Sequence, residues 1–152
     1  MSADDRRIAT RIPLAALLLG LAGVVPFAWG AATILVPSLG DWSMGLFGSR
    51  FTGRPLLVVY GTAILSFMSG TVWGFATRAE GRHAAILYAL STVPALWAVF
   101  AGFSALALAV GFATLLTLDA HAWRAGLAPP WWMRLRLMLT ALVVLCLLPG
   151  MP

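Results

Sequence analysis

Residues 55–77, PLLVVYGTAILSFMSGTVWGFAT, form an apolar run long enough to cross a lipid bilayer as one helix, since about 20 residues span the hydrocarbon. Small and hydroxyl-bearing side chains interrupt this run, and it contains no charge. Four of them, Thr62, Ser66, Gly70 and Gly74, follow one another at intervals of four residues. Because residues four apart lie on nearly the same side of a helix, this row predicts a face on which another helix packs closely.

Three interpretations of this small-residue row are open from the sequence. The row can contact another helix of the same chain, and Gly20 and Gly23 of the first apolar run are candidates for the opposite surface. It can instead contact a second copy of the chain, or line a polar pathway. Close backbone approach matters in lipid, because apolar burial does not drive helix association there.

The composition places the chain in the membrane class. Of its 152 residues, 61% are hydrophobic and 10% are charged, against about 25% charged in soluble domains, and the mean hydropathy is +0.94. The net charge of +5 comes entirely from arginine. These arginines lie between apolar runs, which indicates membrane topology rather than nucleic-acid binding. Cys146 is the only cysteine, so an intrachain disulfide and a C-x-x-C site are excluded.

Five apolar runs predict an all-α membrane protein, a five-helix transmembrane bundle that forms one integral membrane domain over residues 1–152. The runs cover residues 12–36, 55–77, 84–101, 105–118 and 133–149. Residues 84–118 are too long for one span and suffice for a hairpin of two short spans. A four-span arrangement that merges these two runs is the alternative.

Prolines inside two of the runs predict distortion of the helices. Pro26 lies within the first run and Pro94 within the third, and a proline in a helix interior removes a hydrogen bond. The first run also admits a second interpretation, a cleaved signal peptide. It continues apolar past Gly30 without an A-x-A cleavage site, which favours a retained span.

The distribution of arginine favours five spans and predicts their orientation. Five spans place eight arginines on one side of the membrane and two on the other, whereas four spans give five and five. The positive-inside rule then puts the N-terminus in the cytoplasm and the C-terminus on the opposite side. We expect the bacterial inner (cytoplasmic) membrane as the location.

The two longer connections are predicted to be loops. Residues 37–54 combine glycines with apolar side chains and should lie along the membrane interface. Residues 119–136 contain Trp131 and Trp132 beside Arg134 and Arg136. Tryptophans at headgroup level next to outward-reaching arginines are typical of an interfacial anchor.

The second run also carries a family signature. YGTAILSFMSGTVWGFA resembles the conserved segment of the DUF3429 family of small membrane proteins, which includes the mitochondrial transmembrane protein 69 group. The family pattern is roughly Y-G-[small]-x-I-L-S-F-[LM]-x-G-x-x-W-G. The matching residues here are Tyr60, Gly61, Ile64, Leu65, Ser66, Phe67, Gly70, Trp73 and Gly74.

Two other segments are similar to the same family. One is LLLGLAGVVPFAWG, with Gly20, Pro26 and Phe27, and the other is PPWWMRLRLMLT, with Trp132, Arg134, Arg136, Leu137 and Thr140. Many relatives have Arg or His before the W-G pair, where this chain has Thr71 and Val72. The resemblance implies a membrane location and this architecture. It implies no reaction, because the function of the family is unassigned.

Residues suited to chemistry are few. We find no ionisable residue in the interior of a predicted run, although such residues are the strongest functional lead in a membrane protein. Asp119 and His121, at the end of the fourth run, are weak surface-site candidates together with the charged loop 78–83, and they offer an incomplete metal or proton site. Pairing of Asp119 with Arg124 or Arg78 at the membrane surface is the simpler expectation.

The sequence therefore predicts a protein without catalytic residues, cofactor or metal. We expect a helical bundle that packs with, or helps assemble, a membrane complex, with the lipid bilayer and other subunits or a second copy as partners. A small oligomeric carrier or channel is the alternative, since interrupted helices often surround substrate sites. An enzyme that uses Asp119 and His121 at the cytoplasmic face is the third hypothesis.

Overall fold

The structure, a computed structural model, describes residues 11–101 and 103–152, and every regular element in those ranges is a helix. The α-helices are α1 (Leu14–Leu35), α2 (Pro37–Phe47), α3 (Gly53–Ala76), α4 (Gly81–Ala101), α5 (Ala105–Arg124) and α6 (Trp132–Leu147), and 3₁₀ turns cover Ser49–Phe51 and Leu148–Gly150. Five helices, all except α2, are long and apolar enough to cross a membrane. The chain is thus an integral membrane protein with an all-α five-helix bundle, as predicted.

The main core lies where α1, α3, α5 and α6 meet, and α4 packs against α3 and α5. Its most deeply buried side chains are Phe27, Leu57, Leu65, Val72, Leu108, Phe112, Leu115 and Leu147. The opposite surfaces of the helices are apolar and exposed, which suits contact with lipid chains. Helices that are apolar all round are expected in a membrane.

Glycines permit the closest helix contacts in this core. A β-carbon added at Gly61 of α3 would lie 2.7 Å from Leu108 Cδ1 of α5. One added at Gly30 of α1 would lie 2.7 Å from Leu57 Cδ2 of α3. The missing side chains therefore let α1, α3 and α5 approach one another, which is how small residues support association in lipid.

The fourth span is longer than predicted, because α5 continues to Arg124. The predicted end at residue 118 was wrong, since Asp119 is neutralised inside the bundle and does not stop the helix.

 The helix ends where Gly126 adopts a left-handed backbone, with φ of 72°. There the Leu127 N–H donates to the Ala122 carbonyl at 3.0 Å, a common way for a helix to end.

The connection 37–54 contains a helix, so the prediction of a loop was wrong there. Pro37 opens α2 at the first helical position, where its missing N–H costs little. A β-carbon at Gly40 would lie 2.6 Å from the Thr33 carbonyl oxygen, so this glycine lets α2 fold back on the end of α1. Trp42 and Leu46 remain exposed, which suits a helix lying at the membrane surface.

Neither internal proline divides its helix, since α1 runs through Pro26 and α4 runs through Pro94. Spans three and four are separate, because α4 ends at Ala101 and α5 begins at Ala105. Of the predicted turn between them, Gly102 lies outside the described residues. Arg6 and Arg7, which contribute to the predicted orientation, also lie outside them.

Candidate functional site at one end of the bundle

A buried ion pair joins α5 to α6. Asp119 is 0% exposed and Arg136 is 3% exposed, and Arg136 Nε donates to Asp119 Oδ2 at 2.6 Å. The sequence places an acid near the end of one span and a base near the start of the next. A short connection makes the two helices antiparallel neighbours, so these two side chains meet at the same level.

Trp132 donates a second hydrogen bond to the Asp119 carboxylate. Its indole Nε1 donates to Asp119 Oδ1 at 2.9 Å, and its ring packs edge-on against Phe75 of α3 at a centroid distance of 5.2 Å. Both carboxylate oxygens therefore accept a hydrogen bond. Trp132 was predicted as an interfacial anchor, and the structure adds a contact with a buried charge that the prediction missed.

The expected partners of Asp119 were wrong. Arg78 donates through Nη1 to the Leu127 carbonyl at 3.2 Å, and Arg124 is exposed. Arg136 was counted among the loop arginines, but it lies within α6 and is buried. An ion pair in low dielectric needs good geometry and further hydrogen bonds to offset desolvation, and the contacts of Asp119 supply both.

His83 and His121 meet at the exposed surface of the same end. Their Nε2 atoms are 3.3 Å apart. Asp119 and His121 do not form one site, because residues two positions apart on a helix differ in direction by about 200°. Within residues 11–101 and 103–152 no three His, Cys, Asp or Glu side chains come together as metal ligands.

The predicted small-residue row turns away from the core along α3. Thr62 and Ser66 are half-buried, whereas Gly70 and Gly74 are exposed, and a β-carbon at either glycine would meet nothing within 4 Å. Within the part of the chain that the structure describes, the predicted packing of these two glycines against another helix is therefore not found. Each step of four residues advances the direction by about 40° beyond a full turn, so the row drifts from the edge of the core to the outside.

The buried face of α3 lies on neighbouring positions. It contains Gly61, Leu65, Ser69 and Val72. The Ser69 hydroxyl donates to the Ser91 carbonyl of α4, and both residues are buried. The Ser69 hydroxyl and Gly61, which both contact a neighbouring helix, thus belong to the inner face of α3.

Gly20 and Gly23 of α1 contact different helices. A β-carbon at Gly20 would lie 2.8 Å from Leu139 Cδ1 of α6. The Gly23 carbonyl accepts a hydrogen bond from the Tyr60 hydroxyl of α3 at 3.0 Å. Both glycines lie at helix contacts, as expected for packing residues, but their neighbours are not the predicted row.

Sequence reasoning missed the polar face of α6. Trp132, Arg136 and Thr140 follow one another at intervals of four, and Arg136 and Thr140 are buried. This spacing, beside an acid at the end of the preceding span, is a signal available in the sequence. Treating residues 119–136 as a loop concealed it, because loop residues have no common face.

Comparison with known proteins identifies the family. The sequence profile described as "Protein of unknown function (DUF3429)" matches residues 12–151. The chain belongs to the DUF3429 family. No curated protein and no solved structure matches the chain.

The DUF3429 motif residues divide between the inside and the outside of the bundle. Tyr60 and Gly61 contact α1 and α5, and the Trp73 ring lies 4.8 Å from that of Tyr88 of α4. Phe67 is 70% exposed. Among the other motif positions, Pro26, Ser66, Trp132 and Arg136 are half-buried or buried, and Gly70, Gly74 and Arg134 are exposed. Trp131, the second predicted anchor, is half-buried.

Proposed function

We propose that this DUF3429 protein is a non-catalytic helical bundle that packs with, or helps assemble, a complex in the bacterial inner membrane, with its N-terminus in the cytoplasm. The observation that carries the proposal is the outward position of Gly70 and Gly74. A β-carbon at either residue would find open space. Residues 11–101 and 103–152 therefore leave this small-residue surface free for another helix.

The surroundings of the two glycines support this use. Phe67 and Trp73 on the same helix are 70% and 49% exposed, so large exposed side chains flank the two glycines. In lipid, glycines at a helix surface allow close backbone approach, which is a main source of affinity between helices. The partner is another membrane helix, from a different subunit or from a second copy.

The carrier alternative has less support from the geometry. It depended on interruption of two spans, and α1 and α4 run unbroken through Pro26 and Pro94. Substrate-dependent flux in proteoliposomes, absent from empty vesicles, would nevertheless favour it over the proposal.

Photo-crosslinking in native membranes tests the proposed contact. A photoreactive residue is placed at Gly74, and a matched one at Val99, which is 57% exposed on α4. We expect a defined protein adduct from position 74, identified by mass spectrometry, and lipid adducts from position 99. The same protein adducts from both positions, or none from position 74, would contradict the proposal.

Bulky substitutions provide the second test. Gly70→Leu and Gly74→Leu should reduce recovery of the partner in mild detergent without unfolding the chain, because a β-carbon at either position meets none of the described residues within 4 Å. The control is Val99→Leu, which should change neither property. Recovery of the partner at the wild-type level with both leucines present would contradict the proposal.

The absence of catalysis is tested at the exposed histidine pair. A His83→Ala and His121→Ala double variant should replace the wild-type protein fully in a deletion strain, since neither side chain supports the core. This variant is preferable to a change at Asp119, which would also break the buried ion pair. Loss of function in a folded double variant would contradict the proposal.

A further inference from the structure

A cavity of about 240 Å³ lies between α1, α3, α5 and α6, next to the ion pair. Phe27 and Phe112 form part of its wall, and both are buried. Leu19 and Phe67 also line it, and they are 75% and 70% exposed. The cavity therefore reaches from the core to the lipid-facing surface.

Two residues that line this apolar cavity carry polar atoms that lack partners. Arg136 and Thr140 line the cavity and are 3% and 6% exposed. Among the described residues, Arg136 Nη2 and Thr140 Oγ1 have no hydrogen-bond partner although both atoms are buried. A buried donor without a partner is costly, so these two atoms indicate a bound group that carries a hydrogen-bond acceptor.

The charge of the site indicates which acceptor fits. The Asp119 carboxylate already neutralises the guanidinium of Arg136 through Nε at 2.6 Å. An anion would add an uncompensated charge to a buried site, which is unfavourable. A neutral carbonyl oxygen can accept from Nη2 and from the hydroxyl without that penalty.

The size of the cavity indicates more than a water molecule. Water occupies about 30 Å³ in the liquid, and an apolar cavity of about 150 Å³ binds benzene. The volume of about 240 Å³ therefore has room for a substituted ring or a short acyl segment. The exposed side of the cavity, at Leu19 and Phe67, leaves a path for an apolar tail into the bilayer.

We propose that this cavity binds a neutral, carbonyl-bearing membrane lipid, whose carbonyl oxygen accepts hydrogen bonds from Arg136 Nη2 and Thr140 Oγ1. An isoprenoid quinone and a glycerolipid ester are two sources of this chemistry. Phe67 borders both this cavity and the outward face of α3 at Gly70 and Gly74, but Arg136 and Thr140 belong to α6, so the lipid site can hold whether or not the packing proposal does.

Native mass spectrometry of the full-length protein, released from its own membrane in mild detergent, tests the site. We expect a one-to-one adduct whose fragmentation identifies a quinone or a glycerolipid. Thermal unfolding with an added short-chain benzoquinone, and separately with a monoacylglycerol, then distinguishes the two sources, since a bound ligand raises the melting temperature.

Two substitutions connect the adduct to this cavity. Thr140→Val removes the unpartnered hydroxyl and should weaken binding about tenfold, the worth of one hydrogen bond, while Thr140→Ser should retain it. Gly23→Leu should fill the cavity and abolish binding, because the nearest atom to a β-carbon there is the Tyr60 hydroxyl at 3.9 Å. Val99→Leu, at an exposed position of α4, is the control outside the cavity and should retain binding.

Three results would overturn the proposal. They are the absence of any adduct, retention of a fatty-acid anion in place of a neutral lipid, and an adduct that survives both Thr140→Val and Gly23→Leu. Far-ultraviolet circular dichroism of each variant shows whether it has folded. The Thr140→Val and Thr140→Ser pair keeps the test decisive if Gly23→Leu fails to fold.

Discussion

The inner and outer faces of α3 carry similar residues in different surroundings. Gly61 and Ser69 face α5 and α4, whereas Gly70 lies exposed and Ser66 is half-buried. On α5, Asp119 is likewise buried whereas His121 is exposed. Small or polar residues in a membrane helix therefore identify contact surfaces, but their direction decides whether the contact lies within the chain.

The largest difference between inside and outside is expected at the acid of α5. Asp119→Ala should lower the free energy of unfolding by about 3–5 kcal/mol, because it leaves Arg136 buried without its counter-charge. His121→Ala should change it by less than about 0.5 kcal/mol, as exposed positions usually do. Unfolding by denaturing detergent, followed by circular dichroism, measures both. Similar losses for the two variants would show that the ion pair is not structural.

The adjacent tryptophans of α6 give the next difference. Trp132→Phe removes the indole donor to Asp119 and should cost about 1.5–3 kcal/mol, the range for a hydrogen bond to a charged group. Trp131→Phe is the matched control and should cost less. The same unfolding assay compares them, and an equal cost would assign both residues to the membrane interface alone.

The glycines of α3 provide a steric comparison. Gly61→Leu should destabilise the bundle by about 1–3 kcal/mol through overpacking, since its β-carbon would lie 2.7 Å from Leu108 Cδ1. Gly70→Leu should leave the stability of the isolated chain unchanged. Thermal unfolding in mild detergent checks this prediction, which fails if Gly70→Leu is the more damaging change.

The smallest difference is expected between two serines. Ser69→Ala removes the hydroxyl bonded to the Ser91 carbonyl and should cost about 0.6 kcal/mol, the average for such bonds between membrane helices. Ser66→Ala should cost less. A double-mutant cycle with Gly61→Ala would show whether the two inner contacts are independent, and a larger loss for Ser66→Ala would reverse the assignment of faces.

Sequence reasoning predicted the bundle well because span length and apolar content depend on the bilayer, and those properties are local. The five spans, the separation of the third from the fourth, and the family follow from that information. The direction of each face does not, because Gly70 and Gly61 look equally suitable until the neighbours of α3 are known. Asp119 was placed in a loop, since an isolated charge normally ends an apolar run and its partner Arg136 lies on another helix.

The ion pair between α5 and α6 has a consequence for biogenesis. A lone Asp or Arg makes insertion of a helix into the bilayer less favourable, and each of these two helices carries one such residue facing the other. Their transfer from the insertion machinery into lipid is easier as a hairpin than one helix at a time. We therefore expect α5 to leave the insertion machinery only after α6 has been synthesised.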